Sequence, residues 1–128
     1  MKKKKTIVCV IIIVAIAGMF MGCLTCGLSE GANVTLYGID MSNIPDGSYT
    51  GVYEFKRWSN TLVVHVNDNR ITGIDIVKDV FAARITNSSG ETIRRVIEAQ
   101  DTRVDAVSGA TVTSKAYLKA IEDALTLR

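Results

Sequence analysis

Between Asp105 and Ser114 the chain reads Asp-Ala-Val-Ser-Gly-Ala-Thr-Val-Thr-Ser, where small and hydroxyl side chains crowd together just ahead of a helical pattern. Gly109 and Ala110 leave the backbone bare enough for a ligand to come close. The first N–H groups of a helix have no acceptor within it, and the helix dipole puts partial positive charge at that end. A segment of this kind therefore suits a phosphate or another anion. The same residue types also enter any capped helix, so spacing alone leaves an anion site and an ordinary helix entry both open.

Other side chains with chemical potential do not converge. His65 is the one histidine, and it sits between Val64 and Val66 in an alternating run, the setting of a solvent-facing or hydrogen-bonded histidine; no catalytic role is assigned to it. Cys23 and Cys26 have the Cys-x-x-Cys spacing, but no second Cys pair or His pair exists to complete a metal site, and both lie at the end of an apolar span. No metal ligands are assigned. After Cys26 there is no cysteine, so the remaining chain must be stable without disulfides. Tyr53, Trp58 and Phe81 could stack on an aromatic ligand or serve as core. The net charge of +2 is carried by the amino terminus: without Lys2 to Lys5 the chain has 11 basic and 13 acidic side chains, a balance of −2. With no stripe of basic and aromatic residues, a nucleic-acid partner is excluded.

The elements that must position the Asp105–Ser114 segment can be read from periodicity. Pro45-Asp46-Gly47 marks a turn, and Ser48 to Trp58, with Tyr49, Val52, Tyr53 and Phe55, reads as a first strand. Leu62–Val66 and Ile71–Val77 follow as a hairpin around Asn67-Asp68-Asn69-Arg70. From Ser88 or Ser89 to about Gln100 an amphipathic helix presents Ile93, Val96 and Ile97. A last helix carries Tyr117, Ala120, Ile121, Ala124 and Leu125 on its apolar stripe, with Thr113 or Ser114 as N-cap. Strands followed by helices, without βαβ alternation, predict an α+β fold: a small antiparallel sheet with helices packed on one face.

Preceding this domain, Thr6 to Ser29 form an uncharged span of 24 residues behind the lysine cluster. A helix of that length rises roughly 36 Å, enough for a hydrocarbon core of about 30 Å. The bias of basic residues toward the inner side places the amino terminus in the cytoplasm and the domain outside. The span is either a retained transmembrane helix of the cell membrane or a signal segment. Phe20-Met21-Gly22-Cys23 loosely resembles the lipobox of bacterial lipoproteins, which would make Cys23 a lipid anchor. Three parts result: residues 1–29 as membrane anchor or signal segment, 30–44 as a spacer without helical or strand period, and 45–128 as the folded domain.

The Asp105–Thr111 stretch resembles the covalent flavinylation motif of the FMN-binding domain family: Asp, then Ser or Thr, Gly, Ala, and Thr or Ser. The likeness covers about Pro45 to Leu127, including Asp46-Gly47-Ser48-Tyr49-Thr50-Gly51 as the opening turn and strand and Thr113-Ser114-Lys115-Ala116 at the closing helix. It implies that Thr111 accepts FMN through a phosphoester. It also implies that Asp105, Ser108, Gly109 and Ala110 form the recognised segment, with Thr113 beside them. A separate flavin transferase would install FMN from FAD, using a magnesium ion of its own. Subunits of ion-pumping redox complexes in this family commonly carry a Glu-Thr-Pro-Gly segment after the hairpin. Here Lys78 to Asn87 contains neither Pro nor Gly. The resemblance thus implies a stand-alone, membrane-anchored electron carrier working between a redox donor and an acceptor protein, since an isoalloxazine ring moves electrons while the protein holds and tunes it. A small flavin reductase and an unmodified binding lipoprotein are the alternatives.

Overall fold

The computed structural model describes residues 1–126; Leu127 and Arg128, the end of the expected 45–128 domain, lie outside the described residues. Helix α1 (Lys2–Thr25) stands apart, with Ile7, Ile11, Ile13, Val14, Met19 and Phe20 all exposed, so its apolar surface points in every direction. It is long and apolar enough to cross a membrane.

The predicted hairpin forms from β2 (Asn60–Asn67) and β3 (Arg70–Lys78). Its loop residues Asp68 and Asn69 both adopt left-handed backbone, at φ 50° and 57°, the geometry of a two-residue loop whose twist matches that of the flanking strands. Glycine takes this conformation without the Cβ penalty. Asn69→Gly is expected to stabilise the domain by about 0.5–1 kcal/mol, seen as a higher urea midpoint at unchanged slope.

Strand β1 (Gly47–Tyr53) pairs antiparallel with β2, giving the sheet order β1-β2-β3. Along β2 the residues Asn60, Leu62, Val64 and Val66 point inward and Thr61, Val63 and His65 outward. Two register shifts between β2 and β3 keep Ile76, Ile74 and Ile71 opposite Leu62, Val64 and Val66, so the bulges hold the apolar residues on one face. On the outer face His65 accepts or donates at both ring nitrogens, 2.8 Å from Ser48 Oγ and 2.8 Å from Asp75 Oδ2. It is a satisfied cross-strand histidine, as its alternation with valines predicts.

The first strand is shorter than the aromatic run suggests. It ends at Tyr53, because Lys56 turns the chain at φ 49°. A 3-10 turn over Lys56–Trp58 then folds back, held by Trp58 N–H to the Phe55 carbonyl at 2.9 Å and by Ser59 Oγ, which accepts from Phe55 N–H at 3.0 Å. This return buries Trp58 instead of leaving it on a pleated surface.

Helices α4 (Ser88–Ala99) and α5 (Thr111–Leu125) cover the inward face of the sheet, which confirms the α+β class. Helix α5 runs across β1 and β2 and places Tyr117, Leu118, Ala120 and Ile121 in the core, all fully buried. It lies so close to β1 that a Cβ on Gly51 would overlap the Ala120 carbonyl oxygen and stand 2.8 Å from the Ala124 Cβ. The helix starts earlier than the Thr113 or Ser114 cap predicts: Ala110 holds the N-cap position, with no side-chain capping bond. Ser114 is instead buried in the first turn, where its Oγ accepts from Val107 N–H at 3.0 Å. Tying the preceding loop to the helix takes the place of capping.

Residues 28–44 are laid against this body. Helix α2 (Leu28–Ala32) buries Gly31 on Val112, and Ile44 joins the core. Glu122, buried on α5, gathers the Tyr37–Gly38 part of this segment onto the helix. Its Oε1 accepts from Tyr37 N–H (2.8 Å), Gly38 N–H (3.0 Å) and Thr102 Oγ1 (2.8 Å), and its Oε2 from Lys119 Nζ (2.8 Å). Burial pushes this carboxyl up, but the Lys119 ammonium, the Gly38 N–H and the Thr102 hydroxyl outweigh it and hold the pKa below the ordinary 4.5. A depressed carboxylate pKa adds stability that is complete above the unfolded value and is lost as pH falls through the folded one. Acidification below 4.5 should therefore lower the wild-type urea midpoint. Glu122→Gln should cost about 1–3 kcal/mol at neutral pH and flatten that acid dependence.

Candidate cofactor site

The Asp105–Ala110 loop is held by one backbone turn and by side chains from the helices on either side of it. Val107 and Ala110 close a turn through Ala110 N–H to the Val107 carbonyl at 2.9 Å, with Ser108 and Gly109 at its corners. Gly109 sits at φ 77°, the left-handed conformation that the third position of such a turn demands, and open space surrounds the place of its missing Cβ. Arg95 fixes the loop's first half, donating from Nη1 to the Asp105 carbonyl at 2.8 Å and the Ala106 carbonyl at 3.2 Å. Arg95 is itself held by Glu91 at 2.9 Å, whose carboxyl the Arg94 and Arg95 guanidinium groups bring down to about 2.

Directly after the turn, α5 begins. Its first intrahelical bond of the α type runs from Ser114 N–H to the Ala110 carbonyl at 2.8 Å, which leaves the N–H groups of Thr111, Val112 and Thr113 without helical acceptors. Thr111 is exposed, and its hydroxyl makes no hydrogen bond among the described residues. An accessible hydroxyl thus stands among free N–H donors at the positive end of a helix of 15 residues.

This helix end forms one wall of a cavity of about 590 Å³. Gly109, Ala110, Thr111 and Thr113 line it from the loop and helix, and Trp58 and Arg57 from the 3-10 turn, with the Arg57 guanidinium 4.5 Å over the Trp58 ring. Val80 and Phe81 close another side. Val80 is the N-cap and Phe81 the first residue of α3 (Phe81–Thr86), a short helix inside the stretch that lacks Pro and Gly. Tyr117 fixes its entry from the core: its phenol donates to Asp79 and accepts from Val80 N–H at 2.9 Å. Burial and the neighbouring Asp79 push that phenol well above its ordinary pKa, so it remains a neutral donor. Leu28, from α2, completes the rim.

Of the residues read from sequence, Thr111, Gly109, Ala110 and Thr113 come together on the cavity, Thr113 as a buried wall residue. Asp105 and Ser108 are exposed on the loop and do not line it. Trp58 and Phe81 reach the cavity, whereas Tyr53 packs beside Phe55 with ring centroids 6.2 Å apart. Leu28, Arg57 and Val80 carry no motif, and only the folded arrangement places them here.

An α+β domain with an apolar, partly aromatic cavity opening onto a helix amino terminus has the features that a ring cofactor bearing a phosphate requires. The model of the FMN-binding domain matches residues 59–126, more than half of the chain, and the chain belongs to that family; it is a flavin-binding protein. Among curated proteins none matches the chain. The residues present fit FMN. The cavity volume falls within the roughly 300–1,000 Å³ usual for small-molecule sites. Trp58, Phe81, Val80 and Leu28 suit the apolar ring system, and the free N–H groups with the Thr111 hydroxyl suit its phosphate.

Proposed function

We propose that the chain is a membrane-anchored flavoprotein that carries FMN on a phosphoester to Thr111 and relays electrons outside the cytoplasm. One observation carries this reading above the rest: the exposed, unpartnered Thr111 hydroxyl lies on the cavity wall amid the free N–H groups of α5. Thr111 supplies the ester oxygen; the phosphorus–oxygen bond to AMP in FAD breaks, AMP leaves, and the hydroxyl proton is released. A separate flavin transferase with its own magnesium ion would catalyse this loading.

Bound there, the flavin supplies one- or two-electron chemistry. The chain's own residues hold and shield it. The α5 N–H groups would hold the phosphate and offset its charge, Trp58 and Phe81 would shield the ring from water, and Arg57 would contribute positive charge to the cavity. Covalent attachment keeps the cofactor from being lost where no cytosolic pool can replace it. Helix α1 crosses the membrane with its lysines inside and the domain outside, or the chain is held by lipid at Cys23; both fates leave the domain on the same face. Donor and acceptor are separate redox proteins.

In-gel flavin fluorescence tests the ester. When the chain is produced with an active transferase and denatured in detergent, fluorescence should migrate with the protein band. Flavin found only at the dye front would overturn the covalent reading while leaving FMN binding intact.

A further inference from the structure

We propose that the rim of the flavin cavity, Leu28 and Phe81, rests in the lipid interface, so that the site opens toward the membrane surface. This rests on the anchored reading above. Leu28 lines the cavity, yet it lies only three residues beyond Thr25, the last residue of α1. Three residues span at most about 10 Å. The cavity mouth is therefore held within that distance of the membrane helix's outer end, and a lipid at Cys23 would bring it nearly as close.

The connection between them is fixed, not a loose tether. A Cβ on Gly27, which sits at φ 88°, would stand 2.9 Å from Lys56 Cδ. Lys56 Nζ lies 3.2 Å from Glu30 Oε2 and 3.5 Å from Cys26 Sγ. Gly31 is buried on Val112 of α5, and Lys115 donates to the Ala32 carbonyl. The chain's exit from the membrane is thus pinned to the same corner of the domain as the cavity.

The exposed surface at that corner has the chemistry of an interfacial seat. Phe81 is 77% exposed and Leu28 40%, an aromatic and an aliphatic side chain with no cover of their own. Arg57 lines the same cavity and brings positive charge beside them, while the Lys56 ammonium is paired with Glu30. The hairpin end of the sheet, opposite Phe81, exposes Asp68, Asn69, Arg70 and Thr72, with no comparable apolar pair. A lipid surface is the occupant that continuity with α1 and this charge pattern favour.

Tryptophan depth measurements decide the matter. The full chain, made without a flavin transferase, would be reconstituted into phosphatidylcholine–phosphatidylglycerol vesicles with bromine on the upper acyl carbons. Phe81→Trp would be compared with Thr72→Trp, six residues and roughly 20 Å back along β3 from Lys78. The buried native Trp58 provides the background. Phe81→Trp is expected to lose most of its added emission to brominated lipid and to resist iodide, with Thr72→Trp showing the reverse. If the vesicle-bound chain shows equal iodide quenching at both positions and none from lipid, the rim does not touch the membrane, although the anchor stands. If the chain fails to float with vesicles after an alkaline wash, the anchor itself is wrong and the proposal falls with it.

Discussion

Thr111→Ala is expected to leave the domain folded and to abolish covalent flavin completely, whereas Thr111→Ser should retain most of it. The contrast follows from where the side chain stands. Thr111 is exposed and makes no hydrogen bond among the described residues, so its removal takes nothing from the core. A surface change of this kind shifts stability by no more than about 0.5 kcal/mol. The hydroxyl, however, is the oxygen of the proposed ester, and no neighbour can substitute for it in the same position. Ser108 is exposed on the turn and does not line the cavity, and Thr113 is buried in the wall. Flavin absorbance after denaturing gel filtration, read beside a near-ultraviolet dichroism spectrum, separates loss of attachment from loss of fold. A variant that keeps covalent flavin would place the ester elsewhere.

The second large effect concerns the fold that carries the site. Gly51→Ala is expected to destabilise the domain by about 3 kcal/mol or more, which for a domain of this size lowers Tm by at least about 12 °C. Gly51→Val should not reach the native state. Here the obstacle is the Ala120 carbonyl, part of a helix backbone that cannot rotate aside as a flexible side chain would. To make room, α5 must lift from β1, and Tyr117, Leu118 and Ile121 would lose their packing against the sheet. Gly109→Ala provides the contrast, since its Cβ would meet open space and only the left-handed backbone resists it. That variant should cost about 1 kcal/mol. Thermal unfolding followed by Trp58 emission would show the two glycines to be required for different reasons; similar small shifts for both would contradict the close approach of α5 and β1.

Local chemistry explains which features were legible before folding was considered. The Asp68-Asn69 loop was readable because those residues tolerate left-handed backbone, and α4 was readable to its end at Gln100 because its apolar spacing is regular. The last helix was likewise written in its apolar stripe, although its start at Thr111 was not: Ser114 bonds back to Val107 instead of capping. Features set by distant partners left no such trace. The stretch from Val34 to Ile39 has no helical or strand period, yet a buried carboxylate 85 positions after Tyr37 holds it in place. Trp58 reads as a strand residue until Lys56 reverses the chain, and Leu28 reads as the tail of an apolar span until α2 folds it onto the cavity. Half of the cavity wall is of this non-local kind. The loop and helix side of the cavity is contiguous in sequence, whereas the facing wall depends on tertiary packing.

The most direct test of Thr111 as the flavin carrier is the intact mass of the chain produced with a flavin transferase, measured beside Thr111→Ala. Wild type should gain the mass of one FMN less one water, and the variant should gain nothing. If the transferase modifies a positive control while the wild-type chain stays at its unmodified mass, or if the variant gains the same increment, the account of Thr111 is contradicted.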